Sequence, residues 1–173
     1  MEQVKYVTAV SIAKNIALKV HSDQVDKKQY PYMAHVLDVA SRVAYLGESY
    51  EIVGLLHDAI EDASPVGFRT EVIAEINAAF DNEVSEAITA MTKRIGEDYF
   101  EAYLPRLRGN KIALQVKIAD ASHNLSKAHL IQETELQDKL RTKYIKVLNE
   151  LGMIGSAMER PLVYENGQWI EVA

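Results

Sequence analysis

The sequence predicts an all-α bundle of roughly eight helices that ends in a short C-terminal β-hairpin. Three observations carry this. Apolar residues recur at helical spacing in successive segments from about residue 8 to residue 152. Caps and breakers separate those segments. Only the tail "LVYENGQWIEV" (162–172) departs from the pattern: Asn166-Gly167 between two β-prone runs is a strong hairpin signal. The chain has 173 residues, 48% of them hydrophobic, which suits one domain with a sizeable core. That single domain is expected over 1–173, with a helical core at about 8–152 and the hairpin as an appendix at about 161–172.

The elements follow in order. "TAVSIAKNIALKVHS" (8–22) is amphipathic. Pro31 suits the first turn of a helix, where its missing N–H would be unpaired anyway. The helix at 31–46 sets Val36, Val39, Ala40 and Val43 on one face, and Gly47 ends it. Ser49 is the expected N-cap of a helix over 50–62. "ASPVGF" (63–68) reads as a loop, with Pro65 and Gly67 as breakers. Helices are expected at 71–80, 82–93 and 98–108, the last closed by Gly109, and a long one at 110–130. Thr134 and Gln137 have capping-box spacing and open a helix with the stripe Leu140, Tyr144, Val147, Leu148 and Leu151. Gly152 stops it. A lone hairpin is marginal in water, so the tail is expected to pack on the helices through Trp169.

Composition excludes several classes. No apolar run approaches the roughly 18 residues that a membrane span needs, and "MEQVKYVTAV" lacks a signal-peptide profile. A cytoplasmic protein with no membrane partner is the expectation. The absence of cysteine excludes disulfides and thiolate zinc sites. A net charge of −6 argues against polymeric nucleic acid, which is held by broad phosphate neutralisation. It leaves room for a small-molecule nucleotide held by a metal and a few local cations. The oligomeric state is not legible.

"GLLHDAIEDA" (54–63) is apolar enough for a core, yet carries His57, Asp58, Glu61 and Asp62. On a continuous helix, His57 shares a face with Glu61, and Asp58 with Asp62. Three carboxylates this close repel unless a cation or protons compensate. A divalent metal answers this, but one turn supplies too few ligands. His35 in "YPYMAHVLDVA" and Asp120 in "VKIADASHNL" complete a set of two imidazoles and two carboxylates. Such ligands suit manganese, iron, cobalt or zinc. A solvated helix face is the ordinary alternative, and the flanking "VGLL" argues against it.

The ordered set His35, His57-Asp58, Asp120 resembles that of the HD-domain metal-dependent phosphohydrolases. "HDAIED" is similar to the HDxxED motif of the (p)ppGpp hydrolase domains of the RelA/SpoT type and their small stand-alone relatives. "YPYMAHVLDVA" resembles the segment with that family's first histidine, and "KIADASHNL" its "LAD…HN" segment. The resemblance covers roughly residues 10–150, with no synthetase domain. It implies an HD-domain bundle in which His35, His57, Asp58 and Asp120 hold one divalent ion, usually Mn2+. It implies that Glu61 and Asp62 handle the attacking water and its proton, and that Asn124 touches the substrate. The implied activity is removal of the 3′-pyrophosphate of (p)ppGpp-like alarmones.

The family usually has a guanine-stacking arginine shortly before its "PY" pair. Here the stretch is "SDQVDKKQYPY", and Lys27 and Lys28 are the nearest cations. Tyr103, Arg106 and Lys127 are candidate phosphate or base contacts, as are Lys93 and Lys117. Each competes with the ordinary reading of a solvated side chain. His123 reads as structural, and His21 and His129 as surface residues. Two rival functions stand beside the first. One is an HD-type nucleotidase or phosphomonoesterase. The other is a metal-containing module that senses a nucleotide without turning it over, which intact Glu61 and Asp62 argue against.

Overall fold

A computed structural model describes residues 7–152 and the strands 162–165 and 168–171. Helix α1 (Ala9–His21) starts where the Thr8 hydroxyl accepts from the Ser11 N–H. Helix α2 (Tyr32–Val43) follows Pro31 and runs into a 3-10 turn, Ala44–Leu46. Gly47 ends that turn at φ 130°, a conformation in which a side chain would be strained. Helix α3 spans Glu48–Leu56 and the short α4 Ala59–Asp62. Then come α5 (Val66–Ala79) and α6 (Asn82–Met91), the latter capped by Asp81. A π-helical turn at Tyr99–Tyr103, capped by Asp98, leads into α7 (Leu104–Arg108). Helix α8 (Lys111–Lys127), capped by Asn110, precedes α9 (Thr134–Glu150). Strands β1 (Leu162–Glu165) and β2 (Gln168–Glu171) pair antiparallel, Tyr164 opposite Trp169. Asn166-Gly167 and the packing expected of Trp169 lie outside the described residues.

Helix α3 is the centre of the bundle. Ile52, Val53, Gly54, Leu55 and Leu56 are all buried. A helix apolar on every side must be surrounded, and α1, α2, α6 and α8 pack around this one. Leu56 is fully buried, which contributes about 1.5–3 kcal/mol. Gly54 lets α2 lie close against α3 at Ala40. Three residues beyond Gly54 is His57, and five before Ala40 is His35. The two helices run antiparallel, so both steps lead the same way in space. The tight crossing thus brings the two histidines together.

Four local expectations are corrected. The helix over 50–62 is interrupted: Asp58, at φ −110° and ψ 0°, separates α3 from α4. The helix starts at Glu48, so Ser49 lies inside it and does not cap it. The loop after Asp62 is short, because Val66, Gly67 and Phe68 already belong to α5. The Thr134/Gln137 capping box does not form; Glu133 occupies the cap position, and the Gln137 amide donates to the Ile131 carbonyl at 3.4 Å. Gly152 has φ 79° just past α9, as a helix stop requires. Among the described residues no helix is long and apolar enough to cross a membrane. The fold is mostly helical, as the sequence predicts.

Candidate active site

The break after α3 orients His57. Its Nδ1 donates to the Gly54 carbonyl at 2.7 Å, so the Nε2 lone pair points away from the helix. That Nε2 lies 3.0 Å from Asp58 Oδ2 and 3.2 Å from His35 Nε2. His35, His57 and Asp58 each place a ligand atom within 4.8 Å of the others. Asp120, from the middle of α8, brings Oδ1 to 3.3 Å from His35 Nε2. Two ligands at a right angle, each about 2.1 Å from one ion, stand about 3.0 Å apart. Two imidazole nitrogens turned toward each other beside two carboxylates need a cation or protons between them. The donor chemistry and spacing fit a divalent metal.

The surroundings hold these groups in place. His35 Nδ1 lies 2.8 Å from His123 Nδ1. A His35 that ligates through Nε2 carries its proton on Nδ1 and donates it to His123. Burial, together with the neighbouring His35, pulls His123 down to about 4, so it is a neutral acceptor. His123, which the sequence reads as structural, is thus placed against the ring of His35. Burial pulls His57 down, but the Asp58 and Asp120 carboxylates outweigh it and raise the imidazole to about 9. The Tyr32 hydroxyl donates to Asp58 Oδ2.

Asp120 has two further partners. Lys117 Nζ donates to Oδ2 at 2.9 Å and Asn124 Nδ2 to Oδ1 at 2.6 Å. Burial opposes both charges of the Lys117–Asp120 pair, and their mutual attraction overrides it: the ammonium is held well above its usual range and the carboxyl well below. Asn124 is therefore bound to Asp120 while it also lines the cavity beside Asp58 and Asp120.

Glu61 and Asp62 come from α4, one turn beyond the break. Glu61 Oε1 accepts the Lys93 backbone N–H at 2.5 Å, and the residue lines the cavity. Asp62 stands beside the cavity, where its Oδ2 accepts the Gln24 amide N–H at 2.9 Å. Surrounding protein desolvates both carboxyls and pushes them above their ordinary values. Arg69 of α5 clamps this turn, donating to the carbonyls of Glu61 at 3.0 Å and Ala63 at 3.1 Å.

The cavity has a volume of about 340 Å³. Lys27, Lys28, Lys93, Lys117 and Lys143 line it, as do Tyr32, Tyr99, Tyr103 and Tyr144. Lys28 is paired with Asp26 at 2.9 Å. Tyr103 lines the cavity with its ring, and its hydroxyl donates to the Met91 carbonyl at 2.5 Å. Lys143 lies 4.5 Å above the Tyr99 ring, and burial with nearby Lys117 lowers its pKa. Arg106 and Lys127 are not among the lining residues. Arg106 is engaged by Glu97 through two bonds of 2.8 Å, and by backbone carbonyls. Lys127 is exposed at the end of α8.

Some residues of the cavity carry no mark of it in the sequence. Tyr144 was legible only as part of the apolar stripe of α9, and the lysine one position before it carried no signal. Gln24 and Tyr99 also line the cavity, and no motif in the sequence marks them. His21, expected at the surface, is 1% exposed. It closes α1, and the chain from Gln24 to Tyr32 folds back over it: the ring packs on Tyr32, with centroids 5.1 Å apart.

No family model matches the chain. It is similar to a GTP pyrophosphokinase of Myxococcus xanthus, with 29% identity over 154 residues, 78% of this chain and 19% of that protein. It is also similar to a guanosine-3′,5′-bis(diphosphate) 3′-pyrophosphohydrolase of Aquifex aeolicus, with 26% identity over 176 residues, 95% of this chain and 22% of that protein. The chain thus spans about a fifth of the length of these relatives. Among solved structures, a metazoan SpoT ortholog described as hydrolysing ppGpp superposes with a TM-score of 0.69. That match has 20% identity and covers 86% of this chain and 88% of the other. The helical fold is shared with that protein.

Proposed function

We propose that this chain is a metal-dependent phosphohydrolase that removes the 3′-pyrophosphate of (p)ppGpp-like alarmones in the cytoplasm. One observation carries the reading: His35, His57 and Asp58 converge, with Asp120 against His35, at the wall of a cavity lined by five lysines. The five lysines share the lining with four carboxylates, with Lys28 paired to Asp26 and Lys117 to Asp120, and a divalent ion on Asp58 and Asp120 would leave positive charge in excess. A molecule with several phosphates is the ligand such a lining suits. The Aquifex aeolicus pyrophosphohydrolase and the metazoan SpoT ortholog are named for this substrate, whereas the Myxococcus xanthus relative is named a GTP pyrophosphokinase.

His35, His57, Asp58 and Asp120 would hold one divalent ion, manganese in this reading. Such an ion, when bound, polarises a phosphoryl oxygen and makes a water more acidic. Glu61 is placed to accept a proton from the attacking water. One of its oxygens is held by the Lys93 N–H and the other is available, and its raised pKa makes it a stronger base. Asp62 assists from the neighbouring position. The water oxygen bonds to the phosphorus nearest the ribose, the P–O3′ bond breaks, and the 3′ oxygen takes up a proton. Lys93, Lys117 and Lys143 offset phosphate charge. Asn124 holds Asp120 and presents its remaining polar atoms to the cavity. Tyr103 offers a ring face.

Lys27 and Lys28 stand where an arginine would be expected to stack on the base. An ammonium can lie over a purine but lacks the planar stacking of a guanidinium. Base discrimination is therefore weak. The same lysines give the nucleotidase reading its support, because they place no guanine-specific group at the mouth. Purified protein with manganese, assayed on guanosine and adenosine 3′-pyrophosphates and on nucleoside monophosphates, separates the two.

A further inference from the structure

His21 is buried, lies outside the ligand set, and has no part in the mechanism above. Its Nδ1 is 2.7 Å from Gln24 Oε1, and its Nε2 has no partner. Gln24 in turn donates from Nε2 to Asp62 Oδ2 at 2.9 Å. Its backbone is pinned as well, because the Gln24 carbonyl accepts the Tyr32 N–H at 2.8 Å. The three side chains form a line from the end of α1 to the carboxylate of α4.

The direction of that line is fixed by chemistry. A primary amide has a donor end and an acceptor end. Were Gln24 turned over, its carbonyl oxygen would face the Asp62 carboxylate at hydrogen-bond distance, oxygen against oxygen. The observed orientation requires His21 to present a proton on Nδ1. Burial keeps this imidazole below its usual pKa, so the ring is neutral and holds one proton. With that proton on Nδ1, the amide has only one satisfactory orientation.

We propose that Gln24 is a positioning residue for Asp62, and that buried His21 locks the Gln24 amide so that it can only donate to that carboxylate. The lock keeps one oxygen of Asp62 occupied and leaves the other for water. It rests on the reading of Asp62 as part of the hydrolytic machinery. The arrangement matches the way outer-shell partners orient the groups that do chemistry, whose loss typically costs about 10–100-fold.

Two measurements test it. Nitrogen-15 NMR of His21 in the intact protein reads the tautomer without any turnover. Protonated Nδ1 with bare Nε2 is expected; a proton on Nε2 would mean a reversed amide and would overturn the proposal. Kinetics of His21→Ala, Gln24→Ala and Gln24→Glu with manganese and ppGpp form the second arm. All three should lose about 10–100-fold in kcat with KM changed less than about threefold and metal content intact. Gln24→Glu, which keeps the shape but replaces the donor with a charge, should be the worst. Variants with lower Tm but wild-type kcat per folded molecule would make His21 and Gln24 merely structural and overturn the proposal. If the wild type fails on ppGpp while the tautomer is as expected, the assigned substrate is wrong and the lock stands.

Discussion

A Cβ added to Gly54 would stand 2.8 Å from the Cα of Ala40. The obstacle is backbone, which cannot rotate away as a side chain can. Gly54→Ala must therefore push α2 off α3, and this separates His35 from His57. Better helix propensity returns only about 1 kcal/mol, whereas overpacking costs about 1–3 kcal/mol. The variant should melt lower than wild type and bind less manganese per folded chain. Melting curves and metal analysis of the same preparation check both.

Glu61→Gln and Asp62→Asn address the chemistry. Both keep shape and remove the base. Turnover should fall by about 10²–10⁴-fold, the usual loss when general acid–base catalysis is removed. Metal content should be unchanged, since neither residue is among the proposed ligands. Wild-type turnover in both variants would make these carboxylates structural.

The pH dependence has a definite sign. Desolvation raises both carboxyls. A base works only when deprotonated, so activity is present above the raised pKa and lost as pH falls through it. The acid limb of kcat should therefore lie above the ordinary carboxyl range. A kcat–pH profile in manganese-saturated buffer shows where it lies.

Cations around the cavity should divide into two classes. Lys143→Ala, or Lys27→Ala with Lys28→Ala, should mainly raise KM, because these groups bind ground and transition states alike. Arg106→Ala should lower Tm and leave KM within about threefold, because Glu97 and backbone carbonyls already hold its guanidinium. Steady-state kinetics and melting of the three proteins separate the classes.

The parts of this molecule that were legible in the sequence are those that local pattern encodes. Helical periodicity located the bundle, and the ordered His35, His57-Asp58, Asp120 set located the candidate metal site. The rest depends on contacts that pattern does not carry. No glycine or proline stands between Leu56 and Asp62, so no breaker marks the interruption at Asp58, and the face shared by His57 and Glu61 on a continuous helix does not exist. His21 is followed by polar residues in the sequence, and its burial comes from residues farther along the chain, Tyr32 and Asp62 among them. Arg106 looks free until Glu97, nine residues earlier, turns out to hold it. Lys143 points at a cavity whose other walls come from distant segments.

The most direct test is pyrophosphate release. Manganese-loaded protein should release pyrophosphate from guanosine 3′-pyrophosphates, and from the adenosine analogues at a comparable rate. No pyrophosphate from either, with brisk hydrolysis of a simple nucleoside monophosphate, would contradict the alarmone reading and establish the nucleotidase in its place.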